Sequence, residues 1–328
     1  MTAGNIPEEI GTVARAFQAI DPRYFHLILF PTEKCSFRCS YCYEDFSVGK
    51  MSSSTIAGIK KLLSSRSADI EELEVSWFGG EPLLAKDVVF EVHEHIKSLP
   101  PTFKFSANMT TNGFHLDIET ARVLISAGVR AYQISLDGQE AEHNKTRIGK
   151  GGFPTFNQIM SNLADMREID EDFQVILRLH YHPGNIESIK SLAQDLVQKF
   201  SCDGRYKIYF KNINHLGGVG DKTFVVYDYR KQAEVKQQLE LVVTEGNMLY
   251  SGGDKNYICY ASRLNSFAIR ADGRVAKCTV ALSDDLNTVG SITSEGKLLL
   301  DNSKLKVWAR GLESADPLAL QCPLHSPR

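Results

Sequence analysis

The chain of 328 residues predicts an α/β fold: a parallel sheet with helices outside it, curling into an open barrel of six β-α units, then a small C-terminal unit. Three observations carry this prediction. Short β-rich runs alternate with helical patterns from Tyr24 to Lys211, the mark of successive βαβ units. The chemistry-bearing residues fall just after predicted strands, where parallel sheets place their sites. A glycine-rich stretch, Gly217-Gly218-Val219-Gly220-Asp221, then interrupts the alternation and reads as a linker. The expected division is an extension over 1–22, a barrel over 23–221 and a C-terminal unit over 222–328.

Each element has a local reason. Tyr24 to Pro31 is an apolar strand running into a cysteine loop. Helix Ser53–Arg66, strand Leu73–Phe78, helix Lys86–Lys97 and strand Lys104–Met109 follow. The pattern continues with helix Leu116–Ala127, strand Ala131–Leu136, helix Pro154–Ile169, strand Phe173–Tyr181, helix Ile186–Phe200 and strand Arg205–Lys211. Helical periodicity near 3.6 and strand periodicity of 2 separate the two kinds of run. Six units suit an open barrel shorter than the closed eightfold one.

The loop after the first strand carries Cys35, Cys39 and Cys42 in a C-x3-C-x2-C spacing, with Tyr41 and Glu44 beside them. Met1 to Ile20 has no apolar signal-peptide core, so a cytoplasmic, reducing setting is expected, where clustered cysteines bind metal or react. Structural zinc would require a second C-x2-C or a His pair at modest distance, and none follows Cys42. Three thiolates can grip three corners of a cubic iron–sulfur cluster, which is closed by four. The fourth iron is then open to a group that is not protein, an arrangement with use in catalysis.

Two further segments converge on the same rim. Val75-Ser76-Trp77-Phe78-Gly79-Gly80-Glu81-Pro82 reads as a strand whose glycines let backbone approach a ligand closely, with Glu81 placed to accept from an ammonium. Tyr132-Gln133-Ile134-Ser135-Leu136-Asp137-Gly138 reads as a strand with Ser135 and Asp137 on one face, followed by His143, Arg147 and Gly151-Gly152-Phe153. Thr110-Thr111-Asn112-Gly113 follows the third strand.

These motifs together resemble those of the radical S-adenosylmethionine (radical SAM) enzymes. The Ser135–Gly138 block with His143, Arg147 and Phe153 is similar to the peptide- and protein-modifying branch. The resemblance implies a partial (β/α)6 TIM-like barrel with Cys35, Cys39 and Cys42 ligating a [4Fe–4S] cluster. SAM chelates the open iron and is cleaved to a hydrogen-abstracting 5′-deoxyadenosyl radical. Tyr41, Gly79, Gly80, Glu81, Asn112, Ser135 and Arg147 are the implied cofactor-binding residues. Tyr41 lies near the cluster and adenine, Glu81 in the segment for the methionyl amino group, and Ser135 and Arg147 at the ribose and carboxylate.

The C-terminal region holds Cys259, then two alternating runs, Phe267–Cys278, joined at Asp272-Gly273, a strong hairpin signal. A helical segment Ser303–Arg310 and the tail Cys322-Pro323-Leu324-His325 complete it. This α+β region resembles a truncated SPASM domain of the twitch form, which implies a second, auxiliary [4Fe–4S] cluster on Cys259, Cys278 and Cys322. The twitch form closes with C-x2-C, but His325 stands at the last position. His325 ligates, substrate does, or the cluster is absent. Cys202 lies off both patterns and reads as inert or as a hydrogen-atom donor of the kind peptide epimerases use. In sulfatase maturases an aspartate base follows the second auxiliary cysteine; here Thr279 does, with Asp284 and Asp285 at the wrong offset and Asp254 or Glu44 as other carboxyls.

A net charge of −3 and the lack of a basic stripe exclude a nucleic-acid partner, and no run has membrane-spanning length. The motifs look most like maturases of ribosomally made precursor peptides, which build cyclophane or thioether cross-links. That implies a precursor peptide substrate and an external reductant of the flavodoxin or ferredoxin type. The residues before Tyr24 are too few for an independent recognition domain, so leader binding falls to a separate protein or the barrel edge. The alternatives are a twitch-type dehydrogenase of a small-molecule alcohol, a formylglycine-forming sulfatase maturase, a peptide epimerase and a zinc-held binding module.

Overall fold

The computed structural model describes residues 15–218, 224–250 and 257–324. Strands β1 (Tyr24–Leu29), β2 (Glu72–Trp77), β3 (Lys104–Thr111), β4 (Val129–Leu136), β5 (Gln174–Tyr181) and β6 (Tyr206–Asn212) lie side by side in chain order. All five neighbouring pairs are parallel. Between them run helices α1 (Ser53–Arg66), α2 (Lys86–Ser98), α3 (Ile118–Ala127), α4 (Glu140–Thr146), α5 (Phe156–Asp165) and α6 (Ile186–Phe200). This is a parallel α/β sheet of partial-barrel kind.

Strand alternation decides which face packs. On β5, Val175, Leu177 and Leu179 are fully buried beneath the Leu192, Ala193 and Leu196 face of α6. Each such side chain contributes about 1.5–3 kcal/mol by leaving water. Helix starts are set by caps: Ser52 accepts from the Thr55 N–H at 3.2 Å before α1, and Asp117 from the Thr120 N–H at 2.8 Å before α3. Gly128 closes α3 at φ +106, a left-handed geometry that favours glycine.

The C-terminal residues extend the same sheet. Strand β7 (Ser266–Ile269) pairs parallel to β1, and β8 (Arg274–Ala276), β9 (Thr288–Ile292) and β10 (Leu298–Leu300) add antiparallel strands beyond it. The expected hairpin at Asp272-Gly273 is the β7–β8 turn, with Gly273 at φ +88. Helices α8 (Asn302–Ser314) and α9 (Pro317–Gln321) follow, and α7 (Tyr229–Thr244) packs on β6 and α6. No helix among the described residues is long and apolar enough to cross a membrane.

The α1 and α6 bounds are those expected from sequence. The Pro154–Ile169 helix is shorter: α5 ends at Asp165 and gives way to a 3-10 turn, Met166–Glu168. Helix α3 begins after Leu116 because Asp117 takes the cap. Helices α4 and α7 were not expected. The first is one short polar turn pair, and the second has a thin apolar stripe of Val235, Leu239 and Val243. Where described, the Gly217–Asp221 stretch packs on the cysteine loop: Gly218, at φ +104, lies directly against the Cys42 carbonyl. Residues 219–221, Asp254 and His325 lie outside the described residues.

Candidate active site

The cysteine loop spans β1 to α1 across the C-terminal mouth of the barrel. Phe37, 1% exposed, anchors it in the core. The loop is sewn to residues 146–150 by three backbone bonds: Arg38 N–H to Ile148 at 2.8 Å, Ser40 N–H to Thr146 at 2.9 Å and Lys150 N–H to Ser36 at 2.7 Å. Arg147 is thereby carried to the cysteines although it is remote in sequence.

Cys35, Cys39 and Cys42 are half-buried, free thiols on this loop. The Cys35 sulfur accepts from the Phe37 N–H at 3.3 Å and from the Asn112 Nδ2 amide at 3.9 Å. Burial pushes the Cys35 thiol up to about 12, with the charge of Glu81 adding to it, and Cys42 up to about 11. Ligation must therefore release protons that these thiols otherwise keep. Among the described residues no three His, Cys, Asp or Glu side chains close tightly around a single ion. Soft thiol donors spread along one loop suit separate corners of an iron–sulfur cluster better than one zinc.

The glycines of the second motif approach protein backbone. A Cβ on Gly80 would lie 2.5 Å from the Lys34 carbonyl oxygen and 2.6 Å from that of Glu33. Gly79, at φ +112, sits against the Thr32 carbonyl. Their smallness lets the end of β2 dock on the cysteine loop. Glu81 is fully buried and accepts from the Thr111 hydroxyl at 2.7 Å, the Asn112 N–H at 2.7 Å and the Leu83 N–H at 3.0 Å. Burial raises its pKa, and these three donors oppose the rise. Trp77, read from sequence beside the motif, is core: its indole N–H donates to His93 Nε2 at 2.9 Å.

Tyr41 is the hub of the mouth. Its hydroxyl lies 2.9 Å from Asp137 Oδ1, 3.0 Å from His180 Nδ1 and 2.9 Å from Arg147 NH1. Burial works to raise the Asp137 carboxyl, but the His180 hydrogen bond and the Arg147 charge outweigh it and hold Asp137 well below the usual range. Arg147 is buried, with Nε lacking a partner. Ser135 is buried at the end of β4, opposite Arg178 of β5. Asp137 stood in the sequence motif, but its partner His180 had no signal beyond strand alternation.

The second trio also converges. The Cys259 N–H donates to the Leu320 carbonyl at 2.8 Å, two residues before Cys322. Tyr260 meets Thr279 Oγ1 at 2.7 Å, beside Cys278. Burial pushes the Cys259 thiol up to about 11, and Cys278 and Cys322 are close enough to add to it. Tyr43 lies within electrostatic range of both Cys42 and Cys278. Glu44 is buried with neither carboxylate oxygen partnered, and burial, then the charge of Glu33, pushes it up to about 8. Cys202 is exposed at the opposite mouth, on the loop entering β6, where Arg167 NH2 reaches its sulfur at 3.4 Å.

Comparison with known proteins places this geometry. The radical SAM superfamily profile matches residues 29–196. The GTP 3′,8-cyclase of Nostoc sp. (strain PCC 7120) is 27% identical over 288 residues, 80% of this chain and 83% of that one. The serine-type anaerobic sulfatase-maturating enzyme of Klebsiella aerogenes is 26% identical over 172 residues, 49% of this chain and 42% of that one. Among solved structures, anSMEcpe with bound AdoMet superposes with a TM-score of 0.63 at 18% identity, covering 86% of this chain and 80% of that one. Streptococcus suis SuiB bound to its precursor peptide SuiA gives 0.61 at 15% identity, covering 94% and 71%. Those two likenesses are of fold. With the family profile running from the end of β1 into α6 and taking in the cysteine mouth, the chain belongs to the radical SAM superfamily and is a radical SAM enzyme, a family that implies a [4Fe–4S] cluster and SAM.

Proposed function

We propose that this enzyme is a maturase of ribosomally made peptides that joins side chains by a cyclophane or thioether bond. The observation that carries the reading is the second thiol trio, Cys259, Cys278 and Cys322, brought near one another by the Cys259–Leu320 backbone bond and the Tyr260–Thr279 contact, with Tyr43 in electrostatic range of both Cys42 and Cys278. Cross-linking after hydrogen abstraction leaves one electron in excess on the product, and a second cluster on this trio would supply its acceptor. Solved relatives in fold hold peptides, SuiA in SuiB and Cp18Cys in anSMEcpe.

The chain's own residues divide the work. Cys35, Cys39 and Cys42 hold the SAM-binding cluster, which with SAM supplies a hydrogen-abstracting radical. Tyr41, Gly79, Gly80, Glu81, Asn112, Ser135 and Arg147 shape and charge the SAM site. Asp137 and His180 fix the Tyr41 hydroxyl. Residues 222–328 act as a twitch-like auxiliary unit built onto the β1 edge. A separate leader-recognition protein and a flavodoxin- or ferredoxin-type reductant complete the system, in the cytoplasm.

A second reading is nucleotide cyclisation, favoured by the 27% identity to GTP 3′,8-cyclase over 80% of the chain. Formylglycine formation is less supported, since Thr279 bonds Tyr260 where a base is needed. The test is anaerobic reconstitution with SAM, reductant and the peptide encoded beside the gene, or with GTP. A peptide lighter by the abstracted hydrogens is expected; an unchanged peptide with GTP consumed selects the nucleotide reading.

A further inference from the structure

The lumen wall of β5 and β6 carries two cations with no counter-charge among the described residues. On these strands Val175, Leu177 and Leu179, and Ile208 and Phe210, are buried toward the helices. Arg178 and His180, and Tyr209 and Lys211, therefore face the lumen. In register, Arg178 lies between Ser135 and Tyr209, and Lys211 lies beside His180. Both cations are half-buried, open to a ligand yet partly stripped of water.

Neighbouring cations are satisfied in ways these two are not. Arg270 pairs with Glu33, Arg147 donates to Tyr41 at 2.9 Å, and Lys236 meets Glu240 at 3.1 Å. Lys277, fully buried, donates to the Ser266 carbonyl at 2.5 Å and to that of Arg263. Among the described residues neither Arg178 nor Lys211 has an ion pair, and Arg178 Nε is buried without a partner. Burial works against both cations; Tyr43, Tyr209 and Tyr41 offset part of it at Arg178 before the like charge of Arg147 adds to it, and at Lys211 the like charges of Arg178 and Lys236 add to it. An unpaired buried cation is costly, so the arrangement is built to receive an anion.

We infer that Arg178 and Lys211 form a carboxylate subsite for the substrate, so that the segment presented for hydrogen abstraction carries an Asp or Glu side chain or a free C-terminus. The inference rests on the peptide-maturase reading above. The guanidinium fork matches a carboxylate, and the ammonium adds a point charge. The pair runs from the SAM site toward the second cysteine set: Arg178 faces Ser135 in register and is within electrostatic range of Tyr41 and Tyr43, whereas Lys211 is within electrostatic range of Cys322. Arg147, by contrast, is held over the cysteine loop. Two cations also fall short of the charge on a triphosphate.

The test uses the reconstituted holoenzyme with SAM and two probes, the tripeptide amide Ac-Gly-Asp-Gly-NH2 and its Asn counterpart. Equilibrium dialysis should show the Asp peptide bound about tenfold more tightly, some 1.4 kcal/mol. Arg178→Gln and Lys211→Met should each erase that preference while SAM affinity and iron content stay at the wild-type level. Equal binding of the two peptides by the wild-type enzyme overturns the inference without any variant. So does a tenfold loss of SAM affinity in Arg178→Gln, which would assign the pair to the SAM carboxylate. Loss of iron would assign it to balancing cluster charge, and GTP bound through the pair would assign it to phosphate. A wild-type enzyme that binds the Asp peptide selectively yet leaves the genomically encoded peptide unchanged would sink the maturase reading alone.

Discussion

Arg270 and Glu33 form a buried two-pronged ion pair that fastens the cysteine loop to the β7–β8 hairpin. Arg270 Nε donates to Glu33 Oε1 at 3.0 Å and NH2 to Oε2, with Glu33 fully buried and Arg270 4% exposed. Removing one partner strands the other charge. Glu33→Ala should cost about 3–5 kcal/mol of stability, read as a lower denaturation midpoint. A Glu33→Leu/Arg270→Met double variant should recover much of it, and no recovery would show that the pair acts through something other than charge.

The two cysteine sets should separate by chemistry. Replacing Cys35, Cys39 or Cys42 with Ala should remove about four irons per chain and abolish reductive SAM cleavage. Replacing Cys259, Cys278 or Cys322 should spare 5′-deoxyadenosine formation and stop product. Identical behaviour of the two sets would refute the division of labour; circular dichroism establishes that each variant is folded.

Gly80→Ala should damage the mouth without touching a ligand. The new methyl would meet the Lys34 carbonyl at 2.5 Å, far inside van der Waals contact, so the cysteine loop must shift. Reconstituted iron should fall well below wild type while the far-ultraviolet spectrum is kept. Full iron loading in this variant would count against the docking role of the glycine.

Tyr41→Phe removes the hydroxyl that meets Asp137, His180 and Arg147. Leaving such buried groups unsatisfied costs about 1–3 kcal/mol, and weaker SAM binding should accompany the loss, measured by dialysis. Stability unchanged from wild type would mean water replaces the hydroxyl.

Acid should destabilise the fold through His93. It is buried, and burial lowers its pKa from 6.5 to about 4, only partly offset by its bond to the Ala127 carbonyl at 2.9 Å. The unfolded chain binds a proton near pH 6.5 while the native imidazole stays neutral, so the unfolded state holds more protons in that window. Stability is therefore full above about 6.5 and declines as pH falls toward 4. Urea midpoints at pH 7.5 and 5 should show this, and His93→Gln should reduce that slope, the rest coming from the buried His26, His143 and His180, which burial lowers too; an unaltered slope would exclude His93 as a contributor.

Much of the fold is legible locally. Alternation in β5 and β6, the apolar stripe of α6 and the Cys35–Cys42 spacing are each written in neighbouring residues, so the strand succession and the cluster loop follow from short-range pattern. The purpose of Gly79 and Gly80 is less readable, because sequence shows that a Cβ is missing but not what fills its place. Trp77 illustrates the same limit: beside Gly79 it has the look of a functional residue, yet strand register turns it into the core against His93.

By itself the chain determined the β-α succession, the thiolate triad and the family, because periodicity and short-range spacing are properties of adjacent residues. Only tertiary structure decided that Arg147 joins Tyr41, that Glu33 meets Arg270 across 237 positions, and that Arg178 and Lys211 share a lumen without a counter-ion among the described residues. Those relationships arise when strands distant in sequence come into register, and no local pattern records which side chains then face each other.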